Sequence, residues 1–331
     1  KSPQQVTAEL DAMLARGNPG AVYFVDDNFV GNQKAAVGLL EELVRWQKLH
    51  DYPIQFACEA TLNLAKNTQI LELMKEAVFA TVFCGIETPE EDALKFIHKE
   101  QNLRRPLLES IQTINRYGIE VVSGIIIGLD TDTDKTAQHM VEFVRASNIP
   151  MLTVNMLHAL PKTPLWRRLE EENRINVSAG RESNVEFLRP YESVVADWLH
   201  TVTTIFSPDE IYQRFEYQMF HTYPNRKQLP PTKTRVNWRN IKKALSIFGR
   251  IVWQVGIKSD YRWTFWKYAL PALRRVDIEG LLQMAIVSHH MILFARECVR
   301  GEAEKCFYAP SMPGESEQVV LKDSSPSVEV A

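Results

Sequence analysis

Cysteine is scarce in this sequence. There are four in 331 residues, Cys58, Cys84, Cys298 and Cys306, and no two are spaced like a zinc knuckle or a redox pair. So few, so scattered, exclude a disulfide-built secreted scaffold and point to a reducing compartment, with the cytoplasm the expected location. Long apolar runs are also lacking: no uncharged apolar stretch reaches about 18 residues, the length of a membrane-spanning helix, and no signal peptide is visible. Charge of one sign is lacking too, with 38 Lys and Arg against 41 Asp and Glu, a net charge of -3. That balance gives no global electrostatic case for nucleic acid binding. The chain begins at Lys1 rather than Met, which suggests truncation.

What the sequence does have is an ordinary globular composition, 45% hydrophobic and 24% charged, and enough length for roughly two domains. The first 160 or so residues alternate short apolar, β-branched runs with amphipathic stretches, the mark of βα units and a parallel sheet. Ser2-Pro3 opens a helix as N-cap and first-turn proline, and Gly17 ends it. Strands are expected over 21–25, 54–58, 81–84, 121–127 and 152–157. Helices are expected over 33–50, 68–77, 90–99, 104–117 and 135–147. A helix that opens a βα repeat implies a strand before it, so the first strand is expected upstream of Lys1. After Pro161 the pattern changes to loop-like sequence over about 170–189 and then to helical periods up to about Arg300. From Pro310 the chain is rich in Ser, Pro and Glu and reads as disordered. The fold expected is α/β: a partial (β/α)6 TIM-like barrel over 1–165, a mostly α-helical domain over 166–305, and a tail over 306–331.

In a parallel barrel the site forms at the C-terminal ends of the strands. The residues placed there are Asp26, Asp27 and Asn28 after the first visible strand, Glu59 after the second and Glu87 after the third. Gly124 and Gly128 frame the fourth, and His158 closes the fifth. Acids that end strands also serve as caps for the next helix. Their succession over several strands favours a polar pocket for a ligand with an amine and hydroxyls. Glycine in a strand also allows close packing or a bulge. No phosphate-binding glycine loop is found late in the barrel, which disfavours a phosphate-dependent barrel enzyme.

Several segments resemble the radical S-adenosylmethionine (SAM) superfamily, and they occur in that family's order. They are Phe24-Val25-Asp26-Asp27-Asn28-Phe29, Glu59-Ala60-Thr61-Leu62-Asn63-Leu64-Ala65, Gly85-Ile86-Glu87-Thr88, Gly124-Ile125-Ile126-Ile127-Gly128 and Leu160-Pro161-Lys162-Thr163-Pro164-Leu165. The closest resemblance is to the cobalamin-binding branch with a helical C-terminal domain of unassigned function, a group that includes hopanoid C-2 methylases. It covers the chain to about Arg300. It implies three cofactors: SAM, a 4Fe–4S cluster and cobalamin. It also implies that Asp26, Asp27 and Asn28 meet the amino group of SAM, that Glu59 and Glu87 reach its carboxylate and ribose, and that Gly124 to Gly128 let backbone approach the adenine.

The resemblance further implies that the cluster reduces SAM to a 5′-deoxyadenosyl radical, which takes hydrogen from an unactivated carbon. Methylcobalamin then donates a methyl group, here to a lipid-like substrate, and an electron donor serves the cluster. The alternatives are another radical SAM outcome, such as rearrangement or ring closure, and a non-catalytic SAM-binding or interaction module. This sequence departs from the family in two places. The family holds its cluster with Cys-x3-Cys-x2-Cys, which is absent here along with the upstream cobalamin domain, so no metal ligand is assigned in this chain and the chain alone is expected to be inactive. Cys58 and Cys84 read instead as small core residues. The family's Pro-Gly-Thr-Pro carries Lys162 in place of the glycine.

The segment from Lys233 to Arg275 holds eleven Lys or Arg, one acid, Asp260, and the tryptophans Trp238, Trp253, Trp263 and Trp266. A helical domain with Trp in its core and cations on its wet face explains this composition. Peripheral contact with the inner face of a membrane also explains it, while nucleic acid suits it least. His289 and His290 are adjacent on an expected helix, so they point about 100° apart and do not share a metal easily.

Overall fold

A computed structural model describes residues 1–90, 107–177, 182–229, 238–275 and 277–301, without the side chains of 238–241, 243 and 244. The helix expected over 90–99, Cys306 and the Ser/Pro/Glu tail lie outside the described residues.

Five parallel strands form the sheet: β1 (Ala21–Phe24), β2 (Gln55–Glu59), β3 (Phe79–Glu87), β4 (Glu120–Ile127) and β5 (Leu152–Met156), in the spatial order β1-β2-β3-β4-β5. Each strand lies beside the one before it, and the order never reverses. Parallel crossovers share one hand, so such an order sends every helix to the same side of the sheet. The result is a half-barrel with a helix-covered outer face and an open inner face.

The helices before and between the strands are α1 (Pro3–Arg16), α2 (Gln33–Leu49), α3 (Thr68–Glu76), α4 (Leu107–Arg116) and α5 (Thr136–Ser147). Local chemistry sets their starts. Ser2 and Gln5 form a capping box on α1, while Asn32 and Asn67 cap α2 and α3 by accepting from Ala35 N and Ile70 N.

Side chains alternate across each strand, and burial follows the alternation. Phe56, Cys58, Val82, Cys84, Ile86, Val121, Ser123, Ile125, Leu152 and Val154 are all at most 4% exposed and form the outer face. Tyr23, Ala57, Glu59, Phe83, Val122, Thr153 and Asn155 occupy the other face, and none of them is buried. The register joins these inner residues across the sheet: Tyr23 to Ala57, Glu59 to Phe83, Phe83 to Val122, Gly85 to Gly124, and Gly124 to Thr153.

The later helices are α6 (Pro164–Glu171), α7 (Tyr191–Ile205), α8 (Pro208–Tyr217), α9 (Trp238–Ile251), α10 (Arg262–Arg274) and α11 (Ile278–Arg300). π-helical turns follow α8 over Gln218–Thr222 and α9 over Val252–Lys258. α7 completes the outer layer: Trp198 Nε1 donates to Val154 O at 2.8 Å, and one continuous buried cluster runs from the sheet into α7, α8, α10 and α11. α11 is the one helix among the described residues long and apolar enough to cross a membrane. One side of it joins the core, with Leu281, Met284, Ala285, Ser288 and Ile292 buried, while Ile286, Leu293 and Val299 are exposed.

The helical region also packs against the lower end of the sheet. Glu120, the first residue of β4, is fully buried and accepts from the Tyr223 hydroxyl and, at 3.4 Å, from Gln283 Nε2. Arg226 stacks on Tyr223 at 4.0 Å and donates to Gly118 O at 3.2 Å. Burial pushes the Glu120 carboxyl up, against the pull of Tyr223 and Arg226. Glu120, Tyr223 and Arg226 thus tie the helical region to the N-terminal end of β4.

Candidate functional site at the C-terminal strand ends

After β1 the chain turns at once, because Asp26 Oδ1 accepts from Asn28 N at 3.0 Å. Phe29 N then donates to Glu59 O at 2.9 Å, and the Phe29 ring packs against Phe24 and Phe79 at 5.3 and 5.5 Å. The turn is thereby docked on the end of β2. Asp26 and Asp27 are exposed, Asp26 holding the turn with its own side chain. Asn28 is half-buried, and its Oδ1 is a buried acceptor with no partner. It borders a cavity of about 140 Å³ lined also by Gln33, Thr61, Asn63 and Asn67.

Glu59 ends β2 on the inner face, where its Oε1 accepts from the Tyr23 hydroxyl at 3.0 Å. Burial, then Glu59, push the Tyr23 hydroxyl pKa upward, so it stays a donor. Glu87 ends β3 in a different way. The ladder shifts between Gly85 and Glu87, and Glu87 adopts φ +68°, a left-handed backbone that side chains with a Cβ rarely take. Such strain collects where a side chain must be aimed. The register pairs Glu59 with Phe83, four residues before Glu87. At about 3.3 Å per residue their backbones stand up to roughly 13 Å apart along the strands, a spacing that suits two parts of an extended ligand.

Gly124 lies on the floor between them, where a Cβ would come within 3.0 Å of Thr153 Oγ1. Gly128 has φ +97°, and the Phe187 ring would lie 2.5 Å from any Cβ there. Gly128 N donates to Asp132 Oδ2 at 2.7 Å, as Leu129 N does at 3.2 Å. Asp132 is thus a buried carboxylate at the rim, with a second oxygen, Oδ1, that finds no partner. Burial pushes its pKa up to about 6, against the two backbone donors. His158 is exposed at the end of β5, its imidazole pushed below the usual value by partial desolvation. Asp130 fixes the same rim through Arg174 and, at 2.7 Å, Arg168.

The turn before α6 holds Lys162 at φ +70°. Its side chain replaces the glycine expected there, yet the backbone keeps a glycine-like conformation. Thr163 still caps the helix, accepting from Trp166 N at 3.2 Å.

The structure therefore places Glu59 on the inner face, Gly124 buried in its floor, Glu87 at the end of β3 and Gly128 after β4, while Asn28 borders a separate small cavity beside the turn after β1. Sequence reasoning missed Tyr23, Asp132 and Asn155, an inner-face residue whose Oδ1 is also a buried acceptor without a partner. The signal for Tyr23 and Asn155 was available: each is a polar group at an inward position of an apolar run. A cavity of about 500 Å³ lies at the opposite end of the sheet, among Gln55, Tyr223, Arg226 and Lys227.

Orphaned acceptors at Asn28 and Asn155, with carboxylates on two strands, fit a ligand rich in N–H and O–H donors, as SAM is. The described residues do not fit an iron–sulfur cluster. Cys58 and Cys84 face the helix layer at 0% exposure, and no three His, Cys, Asp or Glu among the described residues converge on a metal position.

A sequential parallel sheet with helices on its outer face defines a partial (β/α)-barrel protein, an architecture whose ligand sites form at the C-terminal strand ends. The radical SAM superfamily profile matches residues 1–144, and that of a domain of unknown function, DUF4070, matches residues 163–304. These matches give the chain a radical SAM domain over residues 1–144, followed by the domain of unknown function. It is 51% identical over 309 residues to the hopanoid C-2 methylase of Rhodopseudomonas palustris, covering 93% of this chain and 58% of that protein. It is 33% identical to an uncharacterized methyltransferase of Synechocystis, covering 99% of this chain and 62% of that protein. A bacteriochlorophyllide d C-12(1)-methyltransferase of Chlorobaculum tepidum matches at 21% over 46% of this chain and 32% of that protein. The chain thus spans about three fifths of the first two relatives.

Proposed function

We propose that this chain is the SAM-binding half-barrel and helical region of a radical SAM methylase that acts on an unactivated carbon of a lipid-like substrate, with a 4Fe–4S cluster and cobalamin as further cofactors, in the cytoplasm. The observation that carries the reading is the inner face of the sheet, where the polar residues Tyr23, Glu59 and Asn155 lie, with Glu87 at the end of β3, in a chain whose residues 1–144 match the radical SAM superfamily. The methylase names of the relatives support methyl transfer, and the lipid named in the first supports the substrate class.

Bound SAM would supply the methyl group and the radical chemistry, and the residues of this chain would hold and orient it. The Asn28 acceptor and the exposed acids Asp26 and Asp27 suit the ammonium end of SAM. A carboxylate accepts from ribose hydroxyls and repels another carboxylate, so Glu59 and Glu87 are assigned to hydroxyls and ammonium rather than to the carboxylate of SAM. Tyr23 orients Glu59. Backbone at Gly124 to Gly128 lines the adenine side. The protein's part is to orient the ligand and exclude water.

The test uses the full-length protein after iron and sulfide reconstitution, with reductant, cobalamin and SAM labelled in its methyl group, incubated with a bacterial lipid extract. Label in a lipid product, with 5′-deoxyadenosine formed, supports the reading. 5′-Deoxyadenosine without label transfer moves the assignment to rearrangement or ring closure. SAM bound but never cleaved makes the protein a binding module.

A further inference from the structure

We infer that the hairpin joining α9 to α10 is a docking surface for an anionic lipid bilayer. Four residues spaced by four, Leu245, Gly249, Trp253 and Ile257, are all exposed along one stripe. In an α-helix a spacing of four drifts by about 40° per step. The wider π turns over Val252–Lys258 take in more residues per turn and reverse that drift, so Trp253 and Ile257 stay on the stripe. Across the turn, Trp263 is 73% exposed, and Trp253 is 53% exposed.

Each of these tryptophans has a cation beside it: Lys258 Nζ lies 5.4 Å from the Trp253 ring and the Arg262 guanidinium 5.8 Å from that of Trp263. Lys242 and Arg250 are exposed on the same helix. The single acid, Asp260, is neutralised by two bonds from Arg296 at 3.0 and 2.8 Å. Trp266 differs: it turns inward and donates to Gly256 O at 2.9 Å, which is a structural role. Trp253 and Trp263 make no such bond.

Indole rings flanked by cations, with aliphatic side chains between them, match the interfacial layer of a membrane, where headgroup phosphates meet the cations and acyl chains meet the apolar atoms. Nucleic acid bases stack on aromatic rings but gain little from an exposed Leu245 and Ile257. The inference does not depend on the reaction catalysed.

The test is flotation of the full-length protein with phosphatidylglycerol/phosphatidylcholine vesicles and with phosphatidylcholine vesicles alone, at low and high salt. Binding to the anionic vesicles only, weakened by salt, is expected. Lys258→Glu/Arg262→Glu and Trp253→Ser/Trp263→Ser should each reduce it about tenfold or more. Melting midpoints check that the variants fold; if the tryptophan pair does not, the charge pair carries the test. No binding to anionic vesicles, or binding unchanged in the folded variants, overturns the inference. So does a loss of self-association or of oligonucleotide binding in the variants with vesicle binding intact.

Discussion

The Tyr23 hydroxyl donates to Glu59 Oε1 at 3.0 Å, across the inner face of the β1–β2 pair. Both residues are partly exposed, so the bond adds little to stability, on the order of 0.5–1 kcal/mol. Its effect is to fix the direction of a carboxylate at the mouth. Tyr23→Phe should leave the melting midpoint nearly unchanged and weaken SAM binding about three- to tenfold, measured by calorimetry. Unchanged affinity would remove Glu59 from the site or Tyr23 from its support.

Glu87 permits a test in which stability and binding move in opposite directions. Its φ of +68° costs about 1 kcal/mol for a residue with a Cβ. Glu87→Ala keeps that strain, and Glu87→Gly relieves it. The glycine variant should melt higher than the alanine variant, while both bind SAM at least tenfold more weakly than the parent. A glycine variant that binds like the parent would show that Glu87 is a backbone feature only.

Lys162 carries the same strain at φ +70°, in a turn whose cap is already complete. Lys162→Gly should therefore raise stability by about 1 kcal/mol in denaturant unfolding. A loss of stability would mean that the Lys162 side chain makes a contact worth more than the strain.

Asp132 supplies a pH test. Its carboxyl is raised by burial to about 6, above the unfolded value near 3.9. A raised acid favours the protonated folded state. Its contribution is therefore present in full below about pH 3.9 and lost as pH rises through about 6, on the order of 2–3 kcal/mol. Asp132→Asn keeps an acceptor for Gly128 N and Leu129 N without the charge. The variant should melt higher than the parent near pH 7, and the gap should close as pH falls toward about 4.5. An equal gap at both pH values would sink the assignment.

The sheet was legible because its signal is periodic. Apolar runs such as Ala21–Phe24 and Leu152–Met156 stand between amphipathic helices whose caps, Ser2, Asn32 and Asn67, are local chemistry. Strand ends were less legible. β3 begins at Phe79 and ends on a bulge at Glu87, since pairing with β2 and β4, not propensity, decides how far it runs. The site was half legible. Asn28, Glu59 and Glu87 follow strands and could be placed by counting. Tyr23 and Asp132 act through neighbours distant in sequence or through a turn, and counting does not reach them. The pairing of Glu120 with Tyr223 joins residues 103 apart, a contact that composition and periodicity do not encode.

Cys58 and Cys84 lie between the sheet and its helices at 0% exposure, and burial lifts the Cys58 thiol far above its usual pKa. An alkylating reagent reaches them only when β2 and β3 part from that layer. Slow modification of these two thiols therefore records how often the sheet opens, which makes them an internal clock for the breathing of the half-barrel.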